Sequence, residues 1–276
     1  VARFRQKFIK EAQTIAALDN HHIIRIYDVF EENGTAYYVM DYIEGESLNE
    51  MVMRRGALPA KEAVAYIECV ADALKYIHGQ NINHLDIKPS NIMIRQGDLR
   101  VILIDFGLSK QYDAQGGQTS STPVGISHGY APMEQYKLGG VSTFSPQTDI
   151  YSLGATLYKL VTGNTPPQAM DLLDEELPDM PDGISDNIQN AIKQAMEARK
   201  KKRPQNINEF LALLKTSSTV VCDVKEDAED LNLLATTVFE FHEDFAIENE
   251  AIHITEETLL ADSTEMKFLE FHEILR

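Results

Sequence analysis

The run His84-Leu85-Asp86-Ile87-Lys88-Pro89-Ser90-Asn91, followed by Ile104-Asp105-Phe106-Gly107, constrains this chain more than any other feature. It sets a carboxylate, a cation and an amide in one short polar segment, with a second carboxylate after a hairpin-like stretch. Phosphoryl transfer needs a carboxylate beside the attacking hydroxyl, and oxygen ligands for the magnesium ions that neutralise the phosphates. Asp86 fits the first role, and Asn91 and Asp105 fit the second. A single motif of this size arises by chance; two in this order and spacing argue against an ordinary polar loop.

The pattern around these motifs is α+β. Phe4, Phe8, Ala12, Ile15 and Leu18 recur at helical spacing, which predicts an amphipathic helix over 4–18. Residues 23–30 and 36–42 read as strands, joined by a hairpin turn at 31–34 in which Gly34 supplies a positive φ. A helix over 60–80 carries Ala63, Tyr66, Ile67, Val70, Leu74 and Ile77 on one face. Short strands at 92–94 and 101–104 flank the polar turn at 96–98. From 108 to 145 the chain is rich in Gly, Ser, Thr and Pro, and a loop of that length inside a compact domain is usually functional. Helical patterning returns over 149–162 and again around 185–215. No internal repeat is evident.

Here the sequence resembles the protein kinase family, whose catalytic loop H-R-D-x-x-x-x-N and metal-binding D-F-G have this order. The stretches YYVMDYIEGESL and SPQTDIYSLGATLYKL are most similar to bacterial serine/threonine kinases of the eukaryotic-like type. The resemblance covers roughly residues 1–215 and implies a two-lobed kinase fold with a mostly helical large lobe. Its first lobe is incomplete, because the chain starts at the threshold of the helix that family calls αC. By the same resemblance, Glu11 takes the place of the αC glutamate that pairs with the ATP-binding lysine. Met40 borders the adenine pocket, a position that is also a core position. The backbone of Asp41 to Ile43 forms the hinge. Asp86 orients and deprotonates the substrate hydroxyl, Asn91 and Asp105 hold magnesium, and Lys88 offsets charge on the transferred group, which points to Ser/Thr acceptors. Ser127 stands where a hydroxyl bridges Asp86 and Lys88, or is a plain loop serine. Glu134 and Arg203 are expected to form a partly buried ion pair. Asp149 either ties the catalytic loop to the helix at 149–162 or caps that helix. The implied cofactors are ATP and Mg2+, and the implied partner is a protein with Ser/Thr acceptors.

Charge separates the last part of the chain from the rest. Of the net charge of −18, 13 negative charges fall after residue 215, where 16 Asp and Glu face three Lys and Arg. A chain this acidic repels nucleic acid and anionic lipid. The basic run Arg199-Lys200-Lys201-Lys202-Arg203 reads as a solvated helix end. Apolar residues such as Leu231, Leu234, Val238, Phe268 and Phe271 recur at helical spacing, so 216–276 is expected to be a small acidic helical extension, suited to a basic partner. Two cysteines argue against a disulfide framework, and no apolar run is long enough for a membrane span, so the expected location is cytoplasmic.

Two departures from the family pattern matter. Leu85 stands where arginine is usual, and leucine cannot clamp a phosphorylated loop. The candidate phosphorylation sites Thr119, Ser120, Ser121 and Thr122 are then not read out through that clamp. The family's Gly-rich loop and its strand lysine have no counterpart in this sequence. Two readings follow: a truncated copy of an active kinase, or a pseudokinase that binds partners without transferring phosphate.

Overall fold

The structure is a computed structural model that describes residues 9, 13–33, 35–106, 110–111, 126–136 and 145–215. Glu11, Thr119, Ser120, Ser121, Thr122 and the extension at 216–276 lie outside the described residues.

Residues 13–16 are helical, and Ile15 and Leu18 are buried. Strands β1 (Ile26–Glu32) and β2 (Thr35–Met40) pair antiparallel, with Ile26 opposite Met40 and Glu32 opposite Thr35. The expected four-residue turn is therefore shorter. Pairing runs on through Glu31 and Glu32 and leaves only Asn33-Gly34 between the strands, and Asn33 itself takes φ 50°. Asn-Gly is the strongest short hairpin signal, because Asn tolerates the left-handed conformation better than other side-chain-bearing residues.

A short strand β3 (Gly45–Ser47) and a helix α1 (Leu48–Arg55) follow, and both escaped the periodicity reading. Their signal was present in Ser47-Leu48-Asn49-Glu50. The Ser47 side chain accepts the Glu50 N–H at 3.2 Å while the Glu50 carboxylate accepts the Ser47 N–H at 2.8 Å, a reciprocal capping box. Leu48, Met51 and Val52 are the buried side of the helix.

Helix α2 (Ala60–His78) matches the expected span, and Ala63, Ile67, Val70, Leu74 and Ile77 are fully buried along one stripe. Each large aliphatic in that stripe is worth about 1.5–3 kcal/mol of burial. Tyr66 differs from expectation. It is only half-buried, because its hydroxyl reaches out to donate to Glu62 at 2.9 Å. Strands β4 (Ile82–Asn83), β5 (Ile92–Arg95), β6 (Val101–Leu103) and β7 (Lys110–Gln111) complete two small antiparallel sheets, β3-β5-β6 and β4-β7.

Helix α3 (Pro146–Thr162) is buried almost throughout and packs against α2 and α4 (Asp186–Ala195). Gly154 permits the second contact, since a Cβ there would lie 2.5 Å from the Ala195 Cβ. The helix starts three residues before Asp149, so that residue is not its N-cap. Ser145 holds that place and Pro146 opens the first turn, where its missing N–H costs nothing. The single helical stretch expected around 185–215 divides into α4 and α5 (Ile207–Lys215). Between them Arg203 is extended, at φ −73° and ψ 161°, as Pro204 requires of the residue before it. Hairpin and helices together make a two-lobed α+β architecture. Among the described residues no helix is long and apolar enough to cross a membrane.

Candidate active site

The segment from His84 to Asn91 joins β4 to β5 and is held by side chains from distant helices. Asp149, fully buried in the first turn of α3, accepts the Leu85 N–H on Oδ1 at 2.7 Å and the His84 N–H on Oδ2 at 2.9 Å. The ring of His78, at the end of α2, meets the same Oδ2 through Nε2 at 2.8 Å. A carboxylate only accepts, so that nitrogen carries a hydrogen. Leu85 is at φ 68°, a left-handed conformation that costs a non-glycine residue about 1–2 kcal/mol. Asp149 holds its N–H, Gln135 Nε2 donates to its carbonyl at 2.9 Å, and its side chain is buried. Gln135 and His78 were not singled out from the sequence, because neither sits in a motif with a local spacing rule.

The backbone so bent presents Asp86, whose carboxylate is 6% exposed and nearly saturated. Its Oδ2 accepts from Lys88 Nζ at 2.8 Å and from Asn91 Nδ2 at 2.9 Å. Its Oδ1 accepts the Ser127 hydroxyl at 2.5 Å. Lys88 Nζ also donates to Ser127 Oγ at 3.1 Å, so Ser127 bridges the pair. A carboxylate offers about four lone-pair directions. Three are filled, and one remains. Asn91 also donates to the Asp86 carbonyl at 2.9 Å, so both of its amide hydrogens go to Asp86.

Ser127 reaches this position through a tight turn in which its carbonyl accepts the N–H groups of Tyr130 and Ala131. Gly129 makes that turn at φ 82°, where a Cβ would sit 2.6 Å from the Pro166 carbonyl oxygen. No other residue fits there without a shift of backbone.

Asp105 follows β6, exposed and at φ 61°. The Ile104 N–H donates to the Asn91 carbonyl at 2.9 Å, which ties the two metal-ligand candidates together through the backbone. Phe106 is buried with its ring 4.6 Å from that of His84. The Tyr38 phenol on β2 is raised by burial first and by the Asp105 carboxylate second, so Asp105 lies within electrostatic reach of the hairpin.

Met40 closes β2, and Met40 and Ile43 pack half-buried against the core. The Asp41 N–H donates to the Arg25 carbonyl at 3.0 Å, and the Asp41 side chain accepts the Tyr27 hydroxyl at 2.5 Å.

Arg203 forms the expected ion pair with Glu134 and is the member of the run 199–203 that departs from the solvated reading, which the exposed Arg199, Lys201 and Lys202 fit. Residues 200–202 form a 3-10 turn, and the Arg203 side chain is fully buried. It meets Glu134 through two hydrogen bonds, 2.7 Å and 3.2 Å, and donates to the carbonyls of Glu197, Gln147 and Ala198. The Tyr151 ring lies 4.9 Å beneath the guanidinium carbon. Such a group is buried because every donor on it is matched.

Known proteins share this organisation. Residues 2–215 match the model of the protein kinase domain. A protein named as a probable serine/threonine-protein kinase of Clostridium perfringens is 30% identical over 236 residues, which is 83% of this chain and 33% of that protein. The serine/threonine-protein kinase PrkC of Bacillus subtilis is 37% identical over 164 residues, 59% of this chain and 24% of that one. The chain thus spans a quarter to a third of the length of these relatives. Among solved structures, one titled PpkA-294 apo form superposes with a TM-score of 0.61 at 27% identity, covering 78% of this chain and 75% of that one. The PknI kinase domain of Mycobacterium tuberculosis shares the fold, with a TM-score of 0.59 at 24% identity over 78% of this chain and 79% of that one. By the family match, the chain belongs to the protein kinase domain family, and the relatives it resembles are bacterial kinases.

Proposed function

We propose that the protein carrying this chain transfers the γ-phosphate of ATP to a serine or threonine hydroxyl of a protein substrate, in the cytoplasm. The observation that carries the reading is the Asp86 carboxylate, with Lys88, Asn91 and Ser127 on three of its lone-pair directions and a fourth left for a substrate hydroxyl. Asp86 orients that hydroxyl and takes its proton as the oxygen attacks. Lys88, already beside Asp86, sets a positive charge where the transferred group becomes more anionic.

Asn91 and Asp105 fit Mg2+. Both supply hard oxygen donors, and the commitment of both Asn91 amide hydrogens to Asp86 leaves its oxygen as the group to face a cation. Bound magnesium neutralises the phosphates of the nucleotide. Met40 and the backbone of Asp41 and Ile43 receive the adenine.

The test is phosphorylation by the full-length protein with magnesium and ATP, followed by phosphoamino-acid analysis. Phosphoserine or phosphothreonine is expected, falling at least about 100-fold in Asp86→Asn and abolished in Asp105→Ala. Unchanged turnover in either variant removes the proposed site, and predominant phosphotyrosine overturns the acceptor assignment.

A further inference from the structure

The segment entering β1 carries adjacent histidines, His21 and His22, and it docks on α2 beside Asp72. One ligand atom from each of His21, His22 and Asp72 can be chosen such that all three lie within 4.8 Å of one another. The ring centroids of the two histidines are 4.2 Å apart.

The surroundings of the three residues prepare them for a cation. His22 Nδ1 lies 2.8 Å from the Val101 carbonyl oxygen, which can only accept, so Nδ1 bears the hydrogen and the neutral ring keeps its lone pair on Nε2. Metal-binding histidines are oriented in this way, by a carbonyl or carboxylate on the other ring nitrogen. Asn20 orients the rest. Its Nδ2 donates to Asp72 Oδ2 at 3.1 Å while its Oδ1 accepts the His22 N–H at 2.8 Å, which leaves Asp72 Oδ1 for a ligand. The Asp19 N–H donates to the Tyr76 hydroxyl at 3.0 Å, and the His22 carbonyl accepts the Leu103 N–H at 2.8 Å, so the backbone is pinned on both sides. His21 and Asp72 are exposed, which gives an ion a path in and gives two ligands freedom to close on it.

We propose that His21, His22 and Asp72 form a zinc site that clips the segment before β1 to helix α2. Two imidazoles and one carboxylate suit Zn2+, whereas Mg2+ and Ca2+ favour oxygen donors alone. Three protein ligands leave a fourth tetrahedral position for water. The ion would brace β6 through His22, whose ring and backbone both bond that strand, and β6 leads directly into Asp105. This site is independent of the kinase reading, since it uses none of the residues placed in the candidate active site.

Calorimetric titration of the full chain with ZnCl2, in excess MgCl2 to occupy oxygen-only sites, tests the proposal. One saturating zinc per chain is expected, together with the visible absorption of low-coordinate cobalt on titration with CoCl2. His21→Ala and Asp72→Asn, both at exposed positions, should each weaken zinc binding by more than about tenfold and remove the rise in unfolding temperature that zinc causes. Asn20→Ala, which loosens the orientation of two ligands, should cost about 10–100-fold. No saturable zinc binding, or undiminished affinity in His21→Ala and Asp72→Asn, overturns the site; the second result would place zinc elsewhere, as at the histidines of the 216–276 extension.

Discussion

Arg203 and Glu134 stand 69 residues apart in sequence and meet as a buried two-point ion pair, Nη1 to Oε1 at 2.7 Å and Nη2 to Oε2 at 3.2 Å. Removing either partner strands a charge in the interior. Arg203→Ala and Glu134→Ala should each lower stability by about 3–5 kcal/mol, read by urea unfolding. Arg203→Lys should fall close to Arg203→Ala, because one ammonium cannot replace a guanidinium that also donates to three carbonyls. A near-neutral Arg203→Lys would show that packing around the stem, not the fork of donors, is what matters.

Leu85 sets two effects against each other. Its side chain is buried, so Leu85→Ala should cost about 2–5 kcal/mol. Its φ of 68° favours glycine by about 1–2 kcal/mol over any residue with a Cβ. Leu85→Gly should therefore be no less stable than Leu85→Ala, the reverse of the usual order. Thermal unfolding of the two variants decides it, and a glycine variant clearly the weaker would mean that Asp149 and Gln135 already absorb the strain.

His84 makes stability depend on pH. The ring is fully buried, and burial pushes its pKa below the ordinary 6.5 against the pull of Asp149, Asp86 and Asp105. As pH falls through 6.5 the unfolded chain takes up a proton that the folded chain still refuses. Stability is then lost on acidification, by up to about 1.4 kcal/mol per pH unit. His84→Asn keeps an acceptor for the Asp86 N–H, which His84 Nδ1 accepts at 3.3 Å, and should flatten this part of the profile. Identical slopes over the unit below pH 6.5 would remove His84 as the cause.

Ser127 is a positioning residue under the proposed function, since it acts on Asp86 and Lys88. Ser127→Ala should lower kcat roughly 10–100-fold with little change in KM for ATP, because small misplacements of a reacting group cost rate steeply. Ser127→Thr retains the hydroxyl and should recover most of the rate. Equal losses in both variants would point to crowding of the turn at Gly129.

The acidic extension is proposed to be separable. The kinase domain match ends at residue 215, where α5 also ends. A 1–215 segment should unfold as cooperatively as the whole chain, and any contact of the extension with basic groups should weaken as salt screens it. Loss of cooperative unfolding on truncation would make the extension part of the core.

Local chemistry was legible in the sequence wherever a few neighbouring residues decide the outcome. The stripe of α2, the strands β5 and β6, and the family itself follow from periodicity and short motifs, because each rests on contacts or spacings inside a small window. The capping box at Ser47 and Glu50 belongs to the same class, since its two partners lie three residues apart. What the sequence left open are matters of long range. Whether Asp149 caps a helix or ties a loop depends on where the His84 and Leu85 amides lie. How deeply the expected Glu134–Arg203 pair is buried depends on whether enough acceptors arrive around the guanidinium to offset its desolvation. Both were decided by tertiary packing, which alone brings partners 65 and 69 residues apart to hydrogen-bonding distance. The pair His21-His22 looks unremarkable in one dimension for the same reason: its third ligand, Asp72, reaches it only because helix α2 folds back beside the entry to β1.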